Sequence, residues 1–232
     1  MDSDVVARSR PSGPRLYDAR RCVEYDKPKL RGWLHLLSFE CALVLGTIII
    51  VTAHGAAETA DAAVYGGAVA GLFGVSALYH RGQWTQRTSA RLQRIDHLMI
   101  VLLIAGSATP PMAVCLPGVW RLSGLIALWS LAAAAVALRL ARMNAPERLV
   151  GSVYVGLGVA ASTAIPAVWV HSGVAPALLL LAGGVLYVVG AVGYHRRSPD
   201  PRPSVFGYHE VFHSYVTLAA ACHYIAIACF LL

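Results

Sequence analysis

Seven mostly apolar runs of about 20 residues, joined by short links, limit this chain more than any other feature of it. They fall at about 33–54, 62–80, 97–116, 119–138, 149–170, 174–194 and 209–232. At 1.5 Å of rise per helical residue, about 20 residues cross the roughly 30 Å of hydrocarbon in a bilayer. One soluble core cannot hide seven such runs, because the fraction of surface a chain buries rises only slowly with its length. The composition agrees: hydrophobic residues make up 57% of the 232 and charged residues only 13%, against about 45–50% and about 25% in ordinary soluble domains. The expected fold is all-α, an integral membrane bundle of seven transmembrane helices over 33–232, preceded by a basic segment over 1–32.

The formal charge of +7 suits nucleic acid as well as a membrane by its sign, but its distribution separates the two. Eighteen of the 19 Lys and Arg residues lie in 1–32 or in the links after the second, fourth and sixth runs, and Arg121 alone lies on the other side. No interior stretch interleaves basic with aromatic residues, so a nucleic-acid surface is excluded. By the positive-inside rule the N-terminus is expected in the cytoplasm and the C-terminus outside. A missed or invented span would scramble this asymmetry, so it also supports the count of seven. The first 32 residues hold no apolar core of a signal peptide, and the first span is expected to act as an uncleaved anchor. The expected setting is the cell membrane, as a multi-pass protein with membrane lipids as partners.

The five cysteines form no CxxC pair and suggest no metal cluster. Cys115 and Cys229 both fall near the outer face, where a disulfide would need demanding geometry. Gly67-x-x-x-Gly71 and Gly183-Gly184 suit close helix packing, and Pro110-Pro111 and Pro166 are expected to kink their helices.

Ionisable residues inside spans are costly unless paired or facing water, so each marks a candidate site. The second span ends on the cytoplasmic side at His80, the third begins there at Asp96 and His97, and the seventh begins there with His209 and His213. His80, Asp96, His209 and His213 therefore lie at one depth. His209 and His213 are four residues apart and share a helix face, about 6 Å from each other. With His80 they would give three imidazole ligands and leave a fourth position open, as in a catalytic zinc site. Asp96 could take a proton from water there, and Ser76, one turn before His80, could join the hydrogen-bond network. From spacing alone, interhelical hydrogen bonding by the histidines accounts for the pattern equally well. His223 lies about 15 Å further along the helix axis and should not share the cluster. His54 and His171 near the outside, and His195 in a link, read as packing or interfacial residues. Glu40 reads as a protonated or hydrogen-bonded group, and His35 as a supporting neighbour of the cluster.

Taken together, these residues resemble the hemolysin III branch of the progestin and adipoQ receptor family, which is grouped with the alkaline ceramidases. The resemblance covers nearly all of the chain after about residue 28. It rests on Ser76-Ala-Leu-Tyr-His80, Asp96-His97 with Leu102-Leu-Ile-Ala-Gly-Ser-Ala-Thr-Pro110, Trp129-Ser130-Leu131, Gly183-Gly184-Val185-Leu186-Tyr187, and His209-Glu-Val-Phe-His213 with Cys222-His223-Tyr224. It implies that His80, His209 and His213 are zinc ligands, with Asp96 and Ser76 beside them. The acidic and amide pair that the family carries ahead of its first-span histidine is absent, the sequence before His35 being Leu30-Arg-Gly-Trp-Leu34.

The leading expectation is a membrane zinc protein of hemolysin III type that hydrolyses a lipid amide or ester, with Asp96 as general base. The alternatives are a zinc-clamped sensor or regulator of membrane state without catalysis, a pore-forming cytolysin as the family name implies, and a bis-histidine haem protein.

Overall fold

Lipid offers no hydrogen bonds to a peptide backbone, so a spanning segment must satisfy its own N–H and C=O groups, and apolar runs of this length do so as helices. In the computed structural model, which describes residues 15–18, 23–141 and 147–232, helices of this kind dominate. They are α1 (Trp33–Thr52), α2 (Gly55–Arg81), α3 (Gln86–Cys115), α4 (Gly118–Ala141), α5 (Glu147–Ser162), α6 (Ile165–Ser172), α7 (Val174–Arg196) and α8 (Tyr208–Phe230). α5 and α6 share the fifth span, so seven crossings result and the protein is a multi-pass membrane protein. Ahead of α1, two four-residue strands, β1 (Arg15–Asp18) and β2 (Val23–Asp26), pair antiparallel with Arg15 opposite Asp26. Of the basic residues counted above, Arg8, Arg10, Arg20, Arg21 and Arg142 lie outside the described residues.

Three element bounds differ from the sequence expectation. α2 begins at Gly55 rather than 62, because a helix continues through polar residues once it leaves the hydrocarbon. α3 begins at Gln86 rather than 97, where the Thr85 side chain accepts from the Thr88 amide at 3.3 Å and caps the helix. The fifth span breaks between Ser162 and Ile165, since Pro166 near the start of α6 has no amide hydrogen to continue the ladder. Pro110 and Pro111 sit inside α3, where the Thr109 hydroxyl donates to the Ala105 carbonyl at 2.8 Å and accepts from Trp129 Nε1 at 3.1 Å.

The helices pack mainly as α1 on α2, α2 on α3 and α7 on α8, and contacts of α8 with α1 and α3 close that group. α4, α5 and α6 pack on α3 from outside. One apolar cluster, with Leu72, Phe73, Leu103 and Val216, lies between α2, α3 and α8. The outward faces carry large apolar side chains such as Val119 and Val170, as lipid contact requires. Of the glycines expected at close contacts, Gly71 lies against Met99 and Gly183 against His223, but Gly67 and Gly184 face open space. The tight crossing of α1 and α2 instead brings Gly46 against Gly66. Cys115 and Cys229 are both free thiols.

Candidate metal centre

The residues of the cluster meet towards one end of the bundle. His80 is the last residue but one of α2, and Ser76 lies one turn before it. Asp96 enters from α3. His209 and His213 occupy the first two turns of α8, which starts at Tyr208 because its first amides find acceptors. The Gly207 amide donates to Glu210 Oε2 at 2.8 Å and the Tyr208 amide to Asp200 Oδ1 at 3.0 Å, so two carboxylates face the positive end of the helix dipole.

One ligand nitrogen from each of His80, His209 and His213 lies within 4.8 Å of the others. His80 Nε2 and His209 Nε2 are 3.2 Å apart. The rings of His80 and His213 are 5.1 Å apart by centroid, and those of His209 and His213 4.6 Å. His80 and His213 are buried and His209 is half-buried. Asp96 Oδ2 stands 4.0 Å from His80 Nε2, with its side chain 15% exposed. This group could hold a metal ion, since three imidazole nitrogens with a nearby carboxylate, screened from water, are the donors a divalent transition metal takes.

The surrounding side chains hold the cluster in place. His35 stacks on the His213 ring, centroids 3.6 Å apart and planes 10° from parallel. Its Nδ1 lies 2.9 Å from Ser76 Oγ, and the Ser76 hydroxyl is near enough to Asp96 to favour its carboxylate form. Ser76 thus joins the first span to the acid, and His35 takes its supporting place although the family's residues ahead of it are absent.

The structure also separates residues that lay together in the sequence. His97 turns away from the cluster: Arg139 Nη2 donates to its Nδ1 at 2.6 Å, and the Tyr154 hydroxyl donates to its carbonyl at 3.1 Å. It fastens α3 to α4 and α5. His223 stands apart as expected, with Nε2 donating to the Leu180 carbonyl at 3.2 Å. Glu40 is exposed on the outward face of α1 rather than hydrogen-bonded within the bundle. Sequence reasoning missed the ion pair between Arg31 and Glu210, both buried. A Glu between two candidate ligands was visible, but its partner lies 179 positions away.

The architecture defines a heptahelical membrane protein with a histidine cluster built at one end of the bundle. Residues 23–224 match the family model described as Haemolysin-III related, and the chain belongs to that family. It is 28% identical over 143 residues to the Hemolysin-3 homolog of Bacillus subtilis (strain 168), a match covering 61% of this chain and 64% of the relative. It is 30% identical over 158 residues to the heptahelical transmembrane protein ADIPOR2 of Oryza sativa subsp. japonica, covering 62% of this chain and 69% of that one. It is likewise 30% identical over 158 residues to Hemolysin-3 of Bacillus cereus, covering 68% and 71%. The chain therefore spans just under two thirds of the Bacillus subtilis relative's length and slightly more of the other two.

Proposed function

We propose that this protein is a zinc-dependent membrane hydrolase of lipid amides or esters, with His80, His209 and His213 as ligands. The carrying observation is a distance. Tetrahedral zinc with bonds of about 2.0–2.1 Å spaces its ligand atoms about 3.3–3.4 Å apart, and His80 Nε2 and His209 Nε2 are separated by 3.2 Å. Three protein ligands leave the open position that distinguishes catalytic from structural zinc sites. Bound zinc would supply Lewis acidity, polarising a carbonyl and acidifying water.

The chain's own groups do the rest. Asp96 accepts the proton of the attacking water at its carboxylate and returns it to the leaving amine or alcohol. Ser76, itself held by His35 Nδ1, stands beside that carboxylate and favours its charged form. His35 sets the plane of the His213 ring by stacking on it. The cluster's end of the bundle carries the basic links, which supports placing it at the cytoplasmic face. A site at headgroup depth suits a lipid entering sideways between helices better than a metabolite from water.

Metal analysis of the purified protein, together with a screen of lipid amides and esters, tests this. The wild type should hold one zinc per chain, His80→Ala and His209→Ala should lose it, and Asp96→Asn should keep it while turnover falls about 100-fold or more. Full zinc occupancy in both histidine variants would overturn the ligand assignment. Zinc without turnover in the wild type would favour the non-catalytic clamp, in which the metal ties α2 to α8.

A further inference from the structure

Residues 27–32, ahead of α1, lie across the end of the bundle that carries the histidines. The Lys29 and Leu30 amides donate to the carbonyls of Ser204 at 3.1 Å and Val205 at 3.0 Å, in the loop that leads into α8. Gly32, with φ of +79°, passes so close to α2 that a Cβ there would come within 2.8 Å of His80 Cβ. Beside it, the Arg81 guanidinium lies over the Trp33 ring, 3.7 Å from its centroid. The same short segment therefore touches both helices that supply candidate ligands.

Its strongest tie is Arg31. The side chain is buried, and its Nε donates to Glu210 Oε1. Glu210 is 1% exposed and spends its other oxygen on the Gly207 amide, so both carboxylate oxygens are occupied. Glu210 follows one ligand directly and precedes the other by three residues, in the first turn of α8. Removing one partner of such a pair leaves an uncompensated buried charge, which the surrounding structure must rearrange to accommodate.

We propose that Arg31, acting through Glu210, is a positioning residue for the metal centre, and that 27–32 is a strap setting His209 and His213 against His80. The proposal rests on the metal reading above and adds what aligns the ligands. The Arg31 side chain hydrogen-bonds Glu210 rather than the ligand nitrogens or Asp96. Its effect is on how closely the nitrogens of α8 approach that of α2.

The test uses the full chain in detergent micelles with Co²⁺ as probe, reading affinity by chelator competition and ligand geometry by visible d–d absorption. Arg31→Ala and Glu210→Gln should each weaken Co²⁺ binding about 10- to 100-fold, the range for partners that orient metal ligands, and should alter the d–d band. The double variant should bind no more weakly than the weaker single, because the two act as a unit. Arg31→Lys should recover part of the affinity. If Arg31→Ala does not fold, Glu210→Gln and Arg31→Lys carry the same measurement. Folded Arg31→Ala and Glu210→Gln proteins with wild-type affinity and spectrum would overturn the proposal while leaving the metal site standing. So would a loss of thermal stability with unchanged Co²⁺ binding. A wild type that binds neither Co²⁺ nor Zn²⁺ would overturn the metal reading, and this one with it.

Discussion

Gly183→Ala should destabilise the bundle out of proportion to the single methyl it adds. Gly183 faces His223 across α7 and α8, a closely packed helix pair. A Cβ at 183 would lie 2.5 Å from His223 Nε2 and 3.0 Å from the Ala219 carbonyl oxygen, where comfortable contacts between carbons are about 3.5–4.0 Å. The Ala219 oxygen is backbone and yields only if α8 moves. The imidazole can swing aside, but that breaks its hydrogen bond to the Leu180 carbonyl, and its Nδ1 already has no partner among the described residues. Overpacking of this kind costs about 1–3 kcal/mol, and a lost interhelical hydrogen bond in a membrane about 0.6–2 kcal/mol. The better helix propensity of alanine returns about 1 kcal/mol. The net expectation is a loss of about 1–4 kcal/mol. Unfolding by SDS titration from mild-detergent micelles, followed by far-UV circular dichroism, measures it. In a His223→Ala background the ring is gone and only the 3.0 Å approach to the Ala219 carbonyl oxygen remains, so Gly183→Ala should cost clearly less than in the wild type. A Gly183→Ala protein as stable as wild type, or an equal loss with and without the His223 ring, would refute the reasoning.

Two further outcomes are expected. The Tyr187 hydroxyl is buried without a hydrogen-bond partner among the described residues, a situation that costs about 1–3 kcal/mol, so Tyr187→Phe should match or exceed wild-type stability in the same titration. A loss of more than about 1 kcal/mol would instead reveal an ordered partner such as water. Lys27 lies outside the spans, half-buried, and burial together with the nearby Arg31 and Arg81 lowers its pKa from the ordinary 10.5. The folded chain thus gives up this proton at a lower pH than the unfolded one. The penalty is fully present below the folded pKa and disappears as pH rises toward 10.5. Lys27→Gln should therefore raise the melting temperature at pH 7 and lose that advantage near pH 10.5, and thermal melts at the two pH values check it.

The spans were readable because lipid filters sequence harshly: seven apolar stretches can hardly mean anything else. Their ends were less readable, because hydropathy reports only the part of a helix inside hydrocarbon. The early starts of α2 and α3 lie in polar sequence, although Thr85 carried a cap signal that periodicity overlooks. The shared depth of His80, Asp96, His209 and His213 followed from orientation, since residues at the same end of antiparallel helices meet. Azimuth did not follow: nothing in the sequence says that Asp96 faces the cluster while its neighbour His97 faces α4. The pairing of Arg31 with Glu210 was beyond reach, because no local pattern tells a buried arginine which carboxylate it will meet.

The break in the fifth span has a consequence for how the protein meets a bilayer of changing thickness. At Thr163 and Ala164 the ladder relaxes to shorter turns, with amides bonding back to Ala160 at 3.3 Å and Ala161 at 3.4 Å. The hydroxyls of Ser162 and Thr163 cover the carbonyls of Gly158 and Ala160 at 2.8 and 2.7 Å. A helix already interrupted there can bend further while breaking few additional bonds. α2 and α8, which hold the histidines, run without such a break, and the two prolines inside α3 lie about four turns from Asp96. When the membrane thins or thickens, the fifth span can take up the strain on the far side of α3, and the spacing of the histidine nitrogens is left undisturbed.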